Sequence, residues 1–265
     1  MNKYLLTVLL VLFTTTSAIG DGFNKKNHLN STKLYKVYWS GIHVADLIIN
    51  IENDSIFANI ESYGIVKKVS KYRSSFKSQF EYNNDHYKPI SYYTEFEMRN
   101  GSKTINIQYS PDGTIKNEVV TPPDKRSKRP AVKDILKNNS ADPLTAFMIS
   151  RQLIKENLAK NNTKFSLNIY DGRRLSRLDF QIHGKYERKI NESIRKIVKV
   201  SFKRIAIDGY TQNELRRMPK EEPLFTLYLS DDETLLPLKA DAEAKLGTAV
   251  ILYEKDCISF TACKL

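Results

Sequence analysis

The chain has 265 residues, of which 41% are hydrophobic and 27% charged, with a formal net charge of +12. That length suffices for one substantial core or two small ones, and beyond the N-terminal region no stretch is long and apolar enough to cross a bilayer as a helix. A basic balance admits anionic partners, but the interleaved basic and aromatic residues of a nucleic-acid-binding sheet are missing, so no nucleic-acid partner is expected.

Lys3 is followed by an apolar run from Leu5 to Phe13, then by small and polar residues ending in Ser-Ala-Ile-Gly-Asp. That order is the pattern of a cleaved signal peptide over residues 1–20, with cleavage after Gly20 or after Ala18. The run falls short of the ~20 apolar residues that a spanning helix needs. Residues 21–265 are then expected as a single β-rich domain, exported, soluble and periplasmic.

Leu34 to Ile51 alternates imperfectly around Gly41, as one bent strand or two short ones. Alternation recurs at Ile56, Ala58 and Ile60, and again at Phe76, Ser78, Phe80 and Tyr82. After Pro89, Tyr92, Thr94, Phe96 and Met98 share one face, and Asn100-Gly101 signals a hairpin turn. Strands at Ile105–Tyr109 and Ile115–Val120 complete an antiparallel meander. The segment Thr121–Asp134 holds three prolines and five basic residues. It reads as an exposed connection, either a solvated loop or a docking patch for anionic headgroups.

One long helix follows. Asp142 suits the N-cap and Pro143 the first helical position. Leu144, Phe147, Met148, Ile154 and Leu158 fall on one face, widened by Ile149 and Leu153, so the helix should be largely enclosed against a concave sheet. Strands then resume at Lys164–Tyr170, Arg173–His183, Ile197–Ile207, Leu224–Ser230, Leu236–Glu243 and Gly247–Glu254. Gly184–Glu192 and Gly209–Glu222 read as loops. The fold class is mainly β: a curved antiparallel sheet wrapped on one central helix.

Asp171-Gly172 fits a two-residue hairpin turn that pairs Tyr170 with Arg173. Side-chain alternation then turns Arg173 and Arg177 outward and sets Arg174 at the rim of an apolar face with Leu167, Leu178 and Phe180. A guanidinium there must be paired or reach water. It either holds a structural carboxylate, such as Asp142 or Asp46, or receives the anionic head of a ligand whose tail lies inside. Cys257 and Cys263 can bridge only if the chain turns around Ile258–Ala262, because six residues of straight strand span ~20 Å. His28, His43, His86 and His183 are scattered without metal-ligand spacing. No nucleophile elbow or phosphate-cradling loop is present. No catalytic residue, metal or cofactor is expected.

The ordered motifs Tyr-Trp-Ser-Gly-Ile-His-Val-Ala-Asp (residues 38–46), Ala-Asp-Pro-Leu-Thr-Ala-Phe (141–147), Tyr-Asp-Gly-Arg-Arg (170–174) and Leu-Pro-Leu-Lys-Ala-Asp-Ala-Glu-Ala-Lys-Leu-Gly-Thr-Ala (236–249) resemble the domain-of-unknown-function 3108 family of exported bacterial proteins. The resemblance implies an antiparallel half-barrel, similar in outline to periplasmic lipoprotein carriers, and it implies no activity. Two functions are expected to compete. One is a non-enzymatic envelope protein that binds a lipid, another amphiphile or an envelope protein partner. The other is a hydrolase or transferase acting on an envelope polymer. In the first, Phe96, Phe147, Leu167, Leu178 and Phe180 line an apolar groove with Arg174 at its mouth.

Overall fold

Thirteen strands form one antiparallel sheet in a computed structural model that describes residues 31–83, 86–99, 101–125, 129–159, 163–217, 225–244 and 247–263. The expected signal peptide, 1–20, lies outside these residues. In chain order the strands are β1 (Ser31–Trp39), β2 (Ile42–Ile51), β3 (Ser55–Ser62), β4 (Arg73–Asn83), β5 (His86–Met98), β6 (Gly101–Tyr109), β7 (Ile115–Thr121), β8 (Lys164–Tyr170), β9 (Leu175–Ile190), β10 (Ser193–Asp208), β11 (Phe225–Ser230), β12 (Pro237–Ala244) and β13 (Gly247–Cys257). Helices α1 (Gly64–Ser70), α2 (Asp134–Lys137), α3 (Pro143–Ala159) and α4 (Gln212–Arg217) interrupt them.

The spatial order is β7-β6-β5-β4-β3-β2-β1-β13-β12-β11-β10-β9-β8. Two meanders are thus joined at the β1–β13 pair, and the connection from β7 to β8 links opposite edges. Laid flat, twelve inter-strand steps of about 4.8 Å would part those edges by ~58 Å. Instead the Tyr170 hydroxyl at the end of β8 donates to Glu118 Oε2 on β7 at 2.7 Å. The sheet is therefore strongly curled, yet no ladder joins β7 to β8 and the barrel stays open. Ala141 instead forms an isolated parallel bridge to Ile169, on the free edge of β8.

Helix α3 fills the concave side. Its Leu144, Ala146, Phe147, Met148 and Ile154 are buried, and it packs on β4 and β5 from one meander and on β8 and β9 from the other. Each of the larger side chains, Leu144, Phe147, Met148 and Ile154, contributes about 1.5–3 kcal/mol by leaving water. A row of rings crosses the second meander in register: Phe165, Phe180, Phe202 and Phe225, with successive centroids 4.6, 5.2 and 4.9 Å apart. Direct cross-strand partners of this kind fix register as well as adding contact energy.

Several sequence expectations are resolved. Leu34–Ile51 is two strands, because Ser40 and Gly41 take positive φ values of 47° and 82° and make a tight turn between β1 and β2. The polar stretch Gly184–Glu192 is not a loop: β9 continues through Gly184 to Ile190 and pairs with β10 throughout, with an irregularity opposite Lys199. Its polar residues belong to an exposed hairpin arm, which needs no apolar alternation. Gly209–Glu222 contains helix α4, and α1 was not foreseen.

Candidate functional site

The Tyr-Asp-Gly-Arg-Arg hairpin differs from its expected register. Tyr170 pairs with Leu175 and Ile169 with Ser176, so residues 171–174 form a four-residue loop rather than a two-residue turn. The cause is the Asp171 carboxylate. Its Oδ1 accepts from the backbone amides of Arg173 (3.0 Å) and Arg174 (2.8 Å), which winds the chain around the side chain. Gly172 has φ +85°, and a Cβ there would meet Ile105 Cγ2 at 2.2 Å. Only glycine lets the turn sit on β6. The offset is two residues, so inward and outward faces keep their order. Side-chain exposure falls from 47% at Arg177 to 22% at Arg173 and 7% at Arg174.

Arg174 is held by a carboxylate, but by neither of those expected. Its Nε and Nη2 donate to Asp171 Oδ2 at 2.8 and 2.6 Å, and its Nη1 lies 3.8 Å from Glu214 Oε1. Asp46 instead meets His43 at 2.9 Å, and Asp142 caps α3. The turn itself supplies the acid three residues before the arginine, closer than any strand could. Burial pushes Asp171 up, but the charge and hydrogen bonds of Arg174 outweigh it, leaving its carboxyl below the usual range. Arg174 in turn is raised by Asp171 against the opposing effect of burial.

The network extends from there. Thr211 and Glu214 form a reciprocal capping box at α4: the Thr211 amide donates to Glu214 Oε2 and the Glu214 amide to Thr211 Oγ1. Arg129 donates to Glu214 Oε1 (2.6 Å) and to the Gly209 carbonyl (2.5 Å). Gly209 packs so closely that a Cβ would fall 2.2 Å from the Arg173 carbonyl oxygen. Asp124 accepts two hydrogen bonds from Arg173 and one from Lys103, and lies 3.2 Å from Arg129 Nε. Although burial opposes it, these cations draw the Asp124 carboxyl down to about 2. The segment Thr121–Asp134 is therefore not simply an exposed connection. Arg129 and Val132 are buried, while Pro122, Pro123 and Lys125 remain exposed.

Asp142 is the opposite case. It is completely buried; its Oδ1 accepts from the amides of Leu144 and Thr145 at 3.0 Å each, and Ser78 Oγ donates to Oδ2 at 3.0 Å. No cation is paired with it among the described residues, so burial outweighs these hydrogen bonds and pushes its carboxyl up to about 6. Tyr92 lies in the field of Asp142, Asp171 and Arg174 together, which places the helix cap beside the hairpin turn.

A cleft of about 300 Å³ opens beside this network. Val119, Val120, Pro130, Ala131 and Val132 supply apolar walls, and Arg129, Lys137 and Arg173 bring cations, partly offset by Glu118 and Asp124. Lys137 donates to Glu118 Oε2 at 3.0 Å. The apolar residues expected to line a groove lie elsewhere. Phe147, Leu178 and Phe180 are buried within one core cluster, and Phe96 and Leu167 are half-buried against it. Phe96 packs edge-on to Phe76. Where β13 ends, Cys257 and Cys263 are disulfide-bonded with Cα atoms 5.4 Å apart, the chain turning through a short 3₁₀ segment.

Glu214, Arg129 and Asp124 escaped the sequence reading. The Thr-x-x-Glu spacing of Thr211 and Glu214 was a usable signal for the helix start. Nothing local marks Arg129 or Asp124, whose hydrogen-bond partners Gly209, Glu214 and Arg173 lie far off along the chain. Among the described residues no cluster of His, Cys, Asp and Glu has metal-holding geometry, and no helix is long and apolar enough to cross a membrane.

A family model described as "Protein of unknown function (DUF3108)" matches residues 34–253, and the chain belongs to that family. A search of the curated proteins finds no match.

Proposed function

Taking that family membership as premise, we propose that this protein is a non-enzymatic, exported envelope protein that binds a small anionic amphiphile in the cleft beside the Tyr170–Arg174 turn. The observation that carries the reading is the cleft's composition: apolar walls with Arg129, Lys137 and Arg173 converging on them. At about 300 Å³ it stands at the lower end of ligand-sized sites, ~300–1,000 Å³, suited to a head group with a short apolar portion. The head meets Arg173 and Lys137, which line the cleft and hold Asp124 and Glu118 at its wall, rather than Arg174, which lies outside the lining and is taken by Asp171 and Glu214.

Two further observations support the reading. The Cys257–Cys263 bridge suits an oxidising compartment, in keeping with the signal-peptide pattern of residues 1–20. The acids an envelope-polymer hydrolase would need are committed elsewhere: Asp142 caps a helix away from solvent, and Asp171 holds a turn. The test has two arms. Protein purified without detergent is extracted for lipid mass spectrometry, and the stripped protein is titrated with a fluorescent fatty acid. Saturable micromolar binding that weakens at least about tenfold in Arg173→Ala/Lys137→Ala is expected, each lost charge-assisted contact contributing ~1.5–3 kcal/mol. No co-purified lipid and no saturable binding would overturn the proposal.

A further inference from the structure

The surface around α1 presents apolar side chains to solvent in a pattern that the fold does not use. Ile65 and Val69 are 72% and 66% exposed. They stand four residues apart and so share one helix face. Val66, half-buried, packs against the sheet core from the other face. The exposed pair does not stand alone. Tyr63, which caps the helix start, is 46% exposed and stacks on His43 at 4.1 Å between ring centroids. Tyr63, Ile65 and Val69, at the helix start and along one side of it, leave apolar surface together, where scattered single residues would need no account.

The charge around the patch is predominantly positive. Lys67, Lys68, Lys71 and Arg73 are all exposed beside it, against Glu61, 2.7 Å from Lys67, and Glu97, cross-strand from Arg73. Short apolar side chains ringed by lysines match the boundary between acyl chains and anionic headgroups, where the apolar residues leave water and the ammonium groups stay with phosphate. An apolar patch for a neutral protein partner would not need this ring. Helix α1 also carries no buried residue of its own, so its exposed positions are not conserving the core.

We infer that the α1 face, built from Tyr63, Ile65 and Val69 with Lys68 and Lys71, docks this protein on an anionic lipid surface. The inference goes beyond the cleft and does not depend on it: α1 joins β3 to β4, whereas the cleft lies beside β7 and the β8–β9 turn.

The test is sedimentation of the purified protein with vesicles rich in phosphatidylglycerol, against vesicles of pure phosphatidylcholine. The protein should sediment with the first and not the second. Ile65→Ser/Val69→Ser should weaken binding at least about tenfold, since two apolar side chains would no longer leave water. Lys68→Gln/Lys71→Gln should weaken it by about fivefold per lysine at low salt, an effect lost at high salt. All four positions are exposed, so circular dichroism and the denaturation midpoint should match wild type. Arg173→Ala/Lys137→Ala should sediment like wild type, which separates this site from the cleft. Absence of sedimentation, equal sedimentation with phosphatidylcholine, or variants that bind as wild type would each overturn the inference.

Discussion

The start of α3 and the turn between β8 and β9 lie side by side, and each withdraws a carboxylate from water by a different means. At the turn Asp171 is neutralised by Arg174, which shares its other side with Glu214 and through it with Arg129. At the helix start the donors to Asp142 among the described residues are all neutral: backbone amides and the Thr145 and Ser78 hydroxyls. The consequences run in opposite directions: the Asp171 carboxyl is held below its ordinary range, and the Asp142 carboxyl is pushed up to about 6. Hydrogen bonds from neutral groups do not offset the burial of a charge, whereas a guanidinium does.

The largest effect is expected at Arg174. Arg174→Ala leaves Asp171 and Glu214 facing each other without their shared cation, and should cost about 3–5 kcal/mol in urea denaturation. A loss under about 1 kcal/mol would mean that the turn has no need of its cation.

Asp142→Asn should act in the other direction. Asparagine remains a good N-cap, and it carries no charge to bury. A carboxyl shifted from 3.8 to about 6 stabilises the folded state less, by roughly 3 kcal/mol, once ionised, at ~1.4 kcal/mol per pH unit. At neutral pH the variant should therefore be more stable than wild type, and Asp142→Ala, equally free of the buried charge, should fall below Asp142→Asn by the lost cap, about 0.5–2 kcal/mol.

Arg173→Ala sharpens the contrast within the turn. Its bidentate pair with Asp124 is partly exposed, and Lys103 and Arg129 remain to hold that acid. The cost should be about 1 kcal/mol, well under half that at Arg174. Arg177 pairs with Asp179 in water, and Arg177→Ala should fall within about 0.5 kcal/mol of wild type. Equal losses at positions 173, 174 and 177 would contradict the ordering by burial.

Much of this arrangement was legible in the sequence. Period-two alternation identified most strands, and Asp142-Pro143 marked the start of α3, because both signals are local. The division between outward Arg173 and Arg177 and inward Arg174 followed from side-chain alternation, and the true register, two residues away, preserves it. The partner of Arg174 was not legible. Asp171 was read as a turn residue with φ preferences, and its capacity to wrap its carboxylate around the following amides makes the loop longer and the ion pair local. Arg129 and Asp124 stayed hidden because a basic, proline-rich segment has the composition of a solvated loop. What buries Arg129 is Gly209 and Glu214, some eighty positions along the chain. The exposed apolar face of α1 was invisible for a related reason: seven residues are too few to set a helical period.

The contrast between the two acids is tested most directly by the pH dependence of stability in wild type and Asp142→Asn. Between about pH 4 and 6 the unfolded chain releases the Asp142 proton while the folded protein keeps it, so this group lowers wild-type stability as pH rises and contributes a constant deficit above about 6. Asp171 has the reverse sign: its stabilisation is present above its unfolded value near 3.8 and is lost as pH falls through its lower folded value. Urea midpoints from pH 4 to 7.5 should therefore show the variant pulling away from wild type up to about pH 6 and then running parallel, at a gap of roughly 3 kcal/mol. A gap that stays the same across this range would contradict the account, because it would mean that Asp142 titrates alike in the folded and unfolded chains.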